Sequence, residues 1–567
     1  MSGSLQPNGT GGGGGRGDED RRRLRRDIGA VSLLFTSLGS IIGSGWLLAA
    51  STSSRTAGPA VLIAWVVGSL ALIVLALIHG ELGGAYPVAG GLSRFPHYAY
   101  GSLAGFAFGW MAWLGSVAIA PAEVLAMLTL FSTIVPGLTT SAMVLTPIGV
   151  VISVLLMAVF TVVNAVGVRW MSRANTAATW WKLAIPVLTV FVLIAVSFHP
   201  ANLVARGGFA PFGPAAVLLS LGTGVIFALG GFEQAVQLAG ESRNARRNVP
   251  IAAIGATALG AVVYILLQVA FILALRPGDL SRGWAFAGFD IQGFAGPFPA
   301  LALALGLPWL AVLLFSDAFI SPGGTALLYT AGSARLAFGL SRNGSIPGVW
   351  QRLSLRGVPL VGLLTSFVVG IVLFLPFPSW TAIIGLITSA MVMAYAAAPL
   401  ALAALRRQQP ERPRPYRTPA AELLAPLGFA IANLIVYWTG WNTVWKLDLL
   451  VAVGFVVLAL TRVTGTGGSR PQLDWRPSLW LWPWLAGLAV LSYVGPAPFG
   501  VRGWIPFGPD VLVVAAFSVG IYLLALRVRL TPEQVDTYVG SLTAGGLEAA
   551  ADEDAPAPGS LPVTAPR

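Results

Sequence analysis

Cysteine is absent from this chain of 567 residues, which excludes disulfide bonds, thiolate nucleophiles and cysteine-ligated metal ions. Histidine occurs only at His79, His97 and His199, too scattered for the spacing of a metal site. Charge is scarce too, since 10% of the residues are charged and 56% are hydrophobic. A soluble chain of this length needs more charge to cover its surface, whereas uncharged segments of about 20 residues are typical of transmembrane helices. The sequence therefore predicts an all-α integral membrane protein.

Lysine is nearly missing, since only Lys182 and Lys446 occur among the 34 basic residues. No glycine precedes a lysine, so the chain has no phosphate-binding Walker motif and a primary pump is excluded. No nucleophile motif or metal-ligand spacing is present, and we expect no enzyme activity, no cofactor and no metal site. The net charge of +12 does not predict nucleic-acid binding, because the basic residues lie in short loops between apolar segments.

The apolar segments predict about fourteen transmembrane helices. These spans are 28–53, 59–83, 98–133, 142–165, 177–198, 213–239, 250–275, 300–338, 358–377, 380–404, 421–440, 443–463, 478–495 and 509–528. They form two sets of five, the second inverted because five is odd, followed by four additional helices. The predicted organisation is a disordered basic cytoplasmic tail, two five-helix repeats, the additional helices and a second disordered cytoplasmic tail, at residues 1–27, 28–198, 213–404, 421–528 and 531–567.

Arginines in the connecting loops predict the orientation. With the N-terminus inside, the cytoplasmic loops carry most of them, including the cluster from Arg406 to Arg417, and the opposite loops carry few. Positive charge is enriched in cytoplasmic loops, so both termini are predicted to be cytoplasmic, with the chain in the lipid bilayer of the plasma membrane. Whether it is a monomer or a homodimer stays open.

Two short glycine-rich breaks interrupt apolar segments, at Gly39-Ser-Ile-Ile-Gly-Ser-Gly45 and Phe227-Ala-Leu-Gly-Gly-Phe-Glu233. Lipid cannot satisfy the backbone groups that such a break exposes, so it persists only where it is buried in protein or lines a cavity. Paired breaks at corresponding places in two halves of a chain are typical of secondary transporters. The alternative for the first break is tight helix packing, because its glycine spacing also satisfies the GxxxG pattern.

The breaks offer complementary groups to a zwitterion. At the first, the N–H groups of Gly43, Ser44 and Gly45 begin an outer half-helix and suit a carboxylate. The carbonyls ending the inner half-helix, including those of Ile41 and Ile42, suit a cation. At the second break, the carbonyls of Ala228, Leu229 and Gly230 could accept from an ammonium group. Phe227 could cover the ligand, and Glu233 could be a gate, a proton carrier or a partner for a free backbone N–H. Such a site predicts an α-amino acid.

Several motifs resemble the amino acid–polyamine–organocation (APC) family of permeases over roughly residues 28–465. They are Gly43-Ser-Gly45, Glu81-Leu-Gly with Tyr86-Pro-Val-Ala-Gly-Gly91, Gly231-Phe-Glu233 with Gly240-Glu-Ser-Arg-Asn244, and Arg335 with Ser341-Arg-Asn-Gly344. The resemblance implies the LeuT-type 5+5 inverted-repeat fold with additional C-terminal helices. It also implies that Ser116 lines the substrate pocket and Ser321 the cation site. The amino-acid sequence of the first break is most similar to the aspartate–proton symporter branch. No arginine that could pair with an acidic substrate side chain is evident in the pocket.

Lys182 is the candidate for proton coupling. The resemblance implies that a fifth-helix lysine replaces the sodium ion of sodium-coupled relatives, and a buried lysine can release its proton where arginine cannot. The alternative is that Lys182 reaches back to the cytoplasmic interface. Protonated Lys182 is expected to release the inner half of the first helix. Glu123 and Asp317 could each line the outer vestibule or serve as a second proton site, and of these interpretations a solvated helix end is the expected one for Asp317.

These observations predict a secondary active transporter that imports an amino acid, coupled to protons, by alternating access. An amino acid or amine exchanger of the same fold is the alternative. A channel or membrane sensor fits less well, because a channel needs a continuous polar stripe or rings of charge, and the chain offers paired breaks at one depth.

Overall fold

The computed structural model describes residues 28–544 except 89, 141–142, 167–170, 288–295, 355–356 and 467–471. Within these residues the chain is helical, with isolated β-bridges only at Ile28–Ser242 and Thr139–Leu145. The helices are α1 (Ala30–Ile41), α2 (Ser44–Ala57), α3 (Val61–Ala85), α4 (Gly91–Tyr100), α5 (Ser102–Phe131), α6 (Pro147–Val166), α7 (Met171–Val196), α8 (Gly213–Ser220), α9 (Ile226–Leu229), α10 (Glu233–Gln237), α11 (Ala245–Ala274), α12 (Pro297–Ala304), α13 (Pro308–Arg342), α14 (Leu360–Leu373), α15 (Trp380–Tyr395), α16 (Ala397–Gln408), α17 (Ala421–Trp438), α18 (Trp441–Thr464), α19 (Leu481–Val494), α20 (Pro509–Val528) and α21 (Pro532–Ala544).

By length and composition, the described residues contain 10 helical segments that could cross a membrane. Four apolar segments are shorter, at Ala30–Ile41, Gly213–Leu229, Leu360–Leu373 and Leu481–Val494. The first two end at the predicted glycine breaks, and this interruption is what keeps them short. The structure thus bears out a multi-pass helical membrane protein, while the count of fourteen spans stays a prediction.

Peripheral and central helices differ in the faces that they bury. On α18 the large apolar side chains at Leu449, Val453, Val456 and Leu460 recur every three or four residues and are exposed. Such a stripe fits contact with lipid tails, whereas on a soluble surface it would be an aggregation hazard. In contrast, α5 is buried from Ser102 to Leu130 and packs against α13 and α15. The core therefore surrounds α5.

Buried hydrogen bonds join the last helices to one another. Asn433 of α17 donates to Ser518 of α20 at 2.9 Å and accepts from the indole N–H of Trp484 of α19 at 2.9 Å. The Tyr437 hydroxyl donates to Asp510 at 2.9 Å. Because lipid offers no partners, these bonds make α17, α19 and α20 one packed unit.

The C-terminal segment departs from the sequence prediction. A disordered tail is predicted from residue 531, yet Pro532–Ala544 forms α21. This helix is tied to the preceding structure, because the Tyr538 hydroxyl donates to Asp474 at 2.6 Å and Gln409 donates to Asp536 at 2.7 Å. Residues 1–27 and 545–567, also predicted to be tails, lie outside the described residues.

The buried carboxylate of Glu81 links the end of α3 to the loop after α16. Glu81, with a fully buried side chain, accepts two hydrogen bonds from Arg406 at 2.9 and 2.6 Å and one from the backbone N–H of Thr418 at 2.6 Å. Arg414 lies 3.5 Å from the same carboxylate. This arrangement gives Glu81 a structural role at the end of α3.

We expect the Glu81→Ala substitution to destabilise the fold by on the order of 3 kcal/mol, because it leaves arginines without their buried counter-charge. Thermal unfolding of the detergent-purified protein measures this effect. Glu422→Ala is the control, since Glu422 is exposed in the first turn of α17. Equal unfolding temperatures for the two variants would contradict the structural role assigned to Glu81.

Candidate functional site

The first glycine break separates two half-helices that the sequence places in one membrane span. Helix α1 ends at Ile41 and α2 begins at Ser44. Between them Ile42 (φ −89°, ψ 83°) and Gly43 (φ −115°, ψ −139°) leave the helical conformation. Carbonyls at the end of α1 and N–H groups at the start of α2 are therefore not used within a continuous helix, and they are free to bind other groups.

The second break lies in the segment that follows α8. Helix α9 ends at Leu229, Gly230 is extended (ψ 150°), and Gly231 has a φ of +137° that side-chain-bearing residues rarely adopt. Helix α10 then begins at Glu233. Both breaks thus lie where the glycine spacing predicts them.

The two breaks contact each other directly. A β-carbon at Gly231 would lie 2.7 Å from the backbone nitrogen of Ile41, and one at Gly45 would lie 2.9 Å from the α-carbon of Ala228. Ser37 of α1 adds a bridge, because its hydroxyl accepts from the backbone N–H of Ala235 at 3.0 Å. Glycine is needed at both contacts because the two backbones approach too closely for any side chain.

A cavity lies beside this contact. Its lining residues are Ser40, Ile41, Gly43, Gly45, Ile119, Glu123, Ile226, Phe227, Gly230, Thr325, Tyr329, Ile387, Thr388, Met391, Val392 and Tyr395. Most of these are apolar, so the few polar groups decide which ligand can bind.

Glu123 of α5 lies at the start of α2. One carboxylate oxygen accepts from the backbone N–H of Ser44 at 2.7 Å, and the other would lie 2.7 Å from a β-carbon at Gly43. The Ser44 hydroxyl accepts from the indole of Trp380 at 3.0 Å. A carboxylate therefore does occupy the predicted anion site, and in this structure it belongs to the protein itself.

Lys182 of α7 is 2% exposed and does not reach a membrane surface. Its ammonium group donates to the carbonyl of Gly39 at 2.7 Å and to the Thr325 hydroxyl at 2.9 Å. Thr325 is also close to Gly43, at 3.0 Å from a β-carbon position there. Lys182, Thr325 and Glu123 thus surround the first break from three helices.

The sequence interpretation of Asp317 is wrong. A solvated helix end is expected, but Asp317 is completely buried. It accepts from the indoles of Trp46 and Trp181, both at 2.9 Å, and from the Ser321 hydroxyl at 2.7 Å. Ser321, expected at the cation site, therefore contacts Asp317, whereas Thr325 contacts Lys182 one turn further along α13.

Glu233 is held by two tyrosines of the cavity wall. The hydroxyls of Tyr329 and Tyr395 donate to its two oxygens at 2.5 and 2.7 Å, and Glu233 is fully buried. A ligand in the cavity meets the tyrosine rings before it meets this carboxylate.

Comparisons with known proteins agree with this architecture. A family model described as amino acid permease matches residues 28–466. The glutamate/serine transporter AimA of Bacillus subtilis is 33% identical over 518 residues, which cover 89% of this chain and 94% of that protein. The aspartate-proton symporter of the same organism is 32% identical over 516 residues, covering 90% and 98%. The aromatic amino acid transport protein AroP of Escherichia coli K12 is 26% identical over 447 residues, covering 73% and 88%.

The chain belongs to the amino acid permease family. It is therefore a multi-pass membrane protein whose relatives transport amino acids, as the sequence motifs indicate.

The cavity of this permease includes some of the predicted residues and omits others. Ile41, Gly43, Gly45, Phe227, Gly230 and Glu123 line it, whereas Ile42, Ser44, Ser116, Ala228, Leu229, Lys182, Glu233 and Ser321 are not among its lining residues. Sequence reasoning missed the wall of α13 and α15, namely Thr325, Tyr329, Ile387, Thr388, Met391, Val392 and Tyr395. On α15 these residues recur every three or four positions, which is the spacing of one helix face. In an apolar span every face shows apolar residues at this spacing, so the spacing does not identify the face that lines the cavity.

We expect Gly231→Ala and Gly45→Ala each to reduce uptake at least about tenfold, because the added methyl group would push the two breaks apart. Uptake of labelled amino acids by cells expressing each variant measures the loss. Gly520→Ala is the control, since nothing lies within 4 Å of a β-carbon there. Full uptake by both break variants at normal protein levels would disprove this role for the contact.

Proposed function

We propose that this permease is a secondary active transporter that imports an amino acid together with protons by alternating access. The observation that carries the proposal is the shared cavity at two broken helices, with Lys182 bonded to the inner half of the first. The printed names of the relatives support the substrate class, since they include a glutamate/serine transporter and an aspartate-proton symporter.

Substrate binding rests on the exposed backbone at the breaks. The substrate carboxylate takes the N–H groups that begin α2, where the helix dipole favours negative charge. Its ammonium group takes the carbonyls that end α9. Phe227 packs edge-on against Trp380, with ring centres 5.7 Å apart, and covers the bound molecule.

Glu123 couples this step to a proton. Its carboxylate holds the Ser44 N–H at 2.7 Å, so it competes with the substrate carboxylate for the same donor. Two carboxylates in one buried place repel each other unless one of them takes up a proton. Substrate therefore enters most readily when Glu123 is protonated, and the proton travels with it.

Lys182 controls the inner half of the first helix. Gly39 lies in the last turn of α1, where the carbonyls carry the negative end of the helix dipole. A protonated amine holds this carbonyl more strongly than a neutral amine, since charge-assisted hydrogen bonds are roughly twice as strong. The contacts thus argue for the reverse of the sequence expectation: the protonated form holds α1, and loss of the proton to the cytoplasm frees it.

Alternating access follows when protonation of Glu123 frees the Ser44 N–H of α2 and loss of the proton from Lys182 frees α1. In this proposal the chain has fourteen crossings, with residues 28–198 and 213–404 as inverted repeats. Both termini are cytoplasmic, and the protein lies in the plasma membrane. Movement of α1 away from α7 and α13 opens the cavity inward, and movement of α2 opens it outward.

Reconstitution into liposomes tests the function. An inward proton gradient is expected to drive accumulation of a labelled amino acid, and a sodium gradient alone is not. Uptake that needs amino acid preloaded inside the liposomes would make the protein an exchanger, and uptake under neither condition would overturn the proposal.

We expect Lys182→Ala to abolish proton-driven accumulation, with a loss of at least about tenfold, and to remove the dependence of uptake on external pH. Lys182→Arg is expected to be equally inactive, because a permanently charged group cannot release α1. The other lysine of the chain gives the control, Lys446→Ala, which should keep the response of the native protein. A Lys182→Ala protein whose uptake retained its full pH dependence would refute the coupling role.

A further inference from the structure

One hydroxyl in the cavity wall has no hydrogen-bond partner. Thr388 of α15 lines the cavity, is 2% exposed, and its Oγ1 bonds to no atom of the described residues. Buried polar groups are nearly always paired, so an unsatisfied hydroxyl on a residue that lines a cavity indicates a partner that arrives with the ligand.

Other buried threonines differ from Thr388 in this respect, although the buried hydroxyls of Ser53, Ser69, Ser116 and Ser492 are also unpaired. Every other buried threonine among the described residues has a hydrogen-bond partner, and most of those in long helices donate to the carbonyl four residues earlier. Bonds of that kind occur at Thr129, Thr161, Thr189, Thr257, Thr330 and Thr461. The Thr388 hydroxyl does not use this default partner, so it remains available to a group in the cavity.

Around Thr388 the wall is apolar. Ile387, Met391 and Val392 of the same helix line the cavity, and Ile119 and Ile226 line it from other helices. In a mostly apolar site, a few polar groups fix the orientation and identity of the ligand. Thr388 is a polar side chain of this kind on α15.

The charges around the cavity disfavour an acidic side chain. Glu123 lines the cavity, Glu233 lies directly behind Tyr329 and Tyr395, and no arginine, lysine or histidine is among the lining residues. The ammonium group of Lys182 is already bonded to Gly39 and Thr325. A side-chain carboxylate would therefore enter a buried space near the Glu233 carboxylate, with no cation to pair with it.

We propose that Thr388 recognises the substrate side chain, and that the preferred substrates are amino acids with a short, neutral, hydrogen-bonding side chain, above all a hydroxyl group. This inference rests on the proposed function and specifies its substrate class. A hydroxyl satisfies the unpaired Thr388, whereas the methyl group of alanine leaves it unpaired and a carboxylate brings uncompensated charge.

Paired substitutions test this assignment in proteoliposomes. Thr388→Val replaces the hydroxyl by a methyl group of similar size, and Thr388→Ser retains a hydroxyl. Thr461→Val is the matched control, because Thr461 is also 2% exposed but lies on α18, outside the cavity lining. The measurement is uptake of labelled serine in competition with unlabelled serine, alanine, aspartate and glutamate.

The native protein and Thr461→Val are expected to prefer serine to alanine, aspartate and glutamate. Thr388→Val should lower the preference for serine over alanine about tenfold, and Thr388→Ser should largely keep it. An unchanged serine-to-alanine ratio in Thr388→Val, or stronger competition by aspartate or glutamate than by serine in the native protein, would overturn this inference alone. Absence of uptake for every amino acid would overturn the proposed function and this inference with it.

Discussion

The rest of the site depends on the contact between the two glycine breaks. A helix interrupted inside a bilayer exposes backbone groups that lipid cannot bind, so each break must be covered by protein. Here each break covers the other, with Gly231 against Ile41 and Gly45 against Ala228. The same contact directs the remaining N–H and carbonyl groups towards one cavity, and a binding site follows from the requirement to bury the breaks.

Four ionisable side chains lie deep in the helical core, and each has specific partners. Glu123 binds a backbone N–H, Lys182 binds a carbonyl and a hydroxyl, Asp317 binds two indoles, and Glu233 binds two tyrosines. Charged groups are costly in this environment, and hydrogen bonds offset only part of that cost. In the proposed mechanism, their grouping around the breaks, rather than along the lipid-facing helices, couples charge to the position of the half-helices.

Sequence reasoning reached the helical class, the family and the two breaks, and it singled out Lys182 and Glu123, because glycine clusters and charges stand out in apolar spans. It did not reach the bond between Glu123 and Ser44, since partners on different helices depend on rotation and tilt. For Asp317, the distance along the helix gave an estimate of its depth in the membrane. It did not indicate whether the side chain is buried against neighbouring helices. Thr388 could not be singled out, because a threonine in an apolar span is ordinary until its missing partner is seen.

One face of α13 holds both halves of the broken first helix. Asp317 and Thr325 are two turns apart on that face, the first bonded to Trp46 of α2 and the second to Gly39 of α1, at 3.2 Å. Helix α7 supports both places, through Trp181 and Lys182. Because the two attachments use different side chains, either half can move while the other stays bound. A single rigid helix in this position would open both sides of the cavity at once, and in the proposed alternating access the break allows them to open in turn.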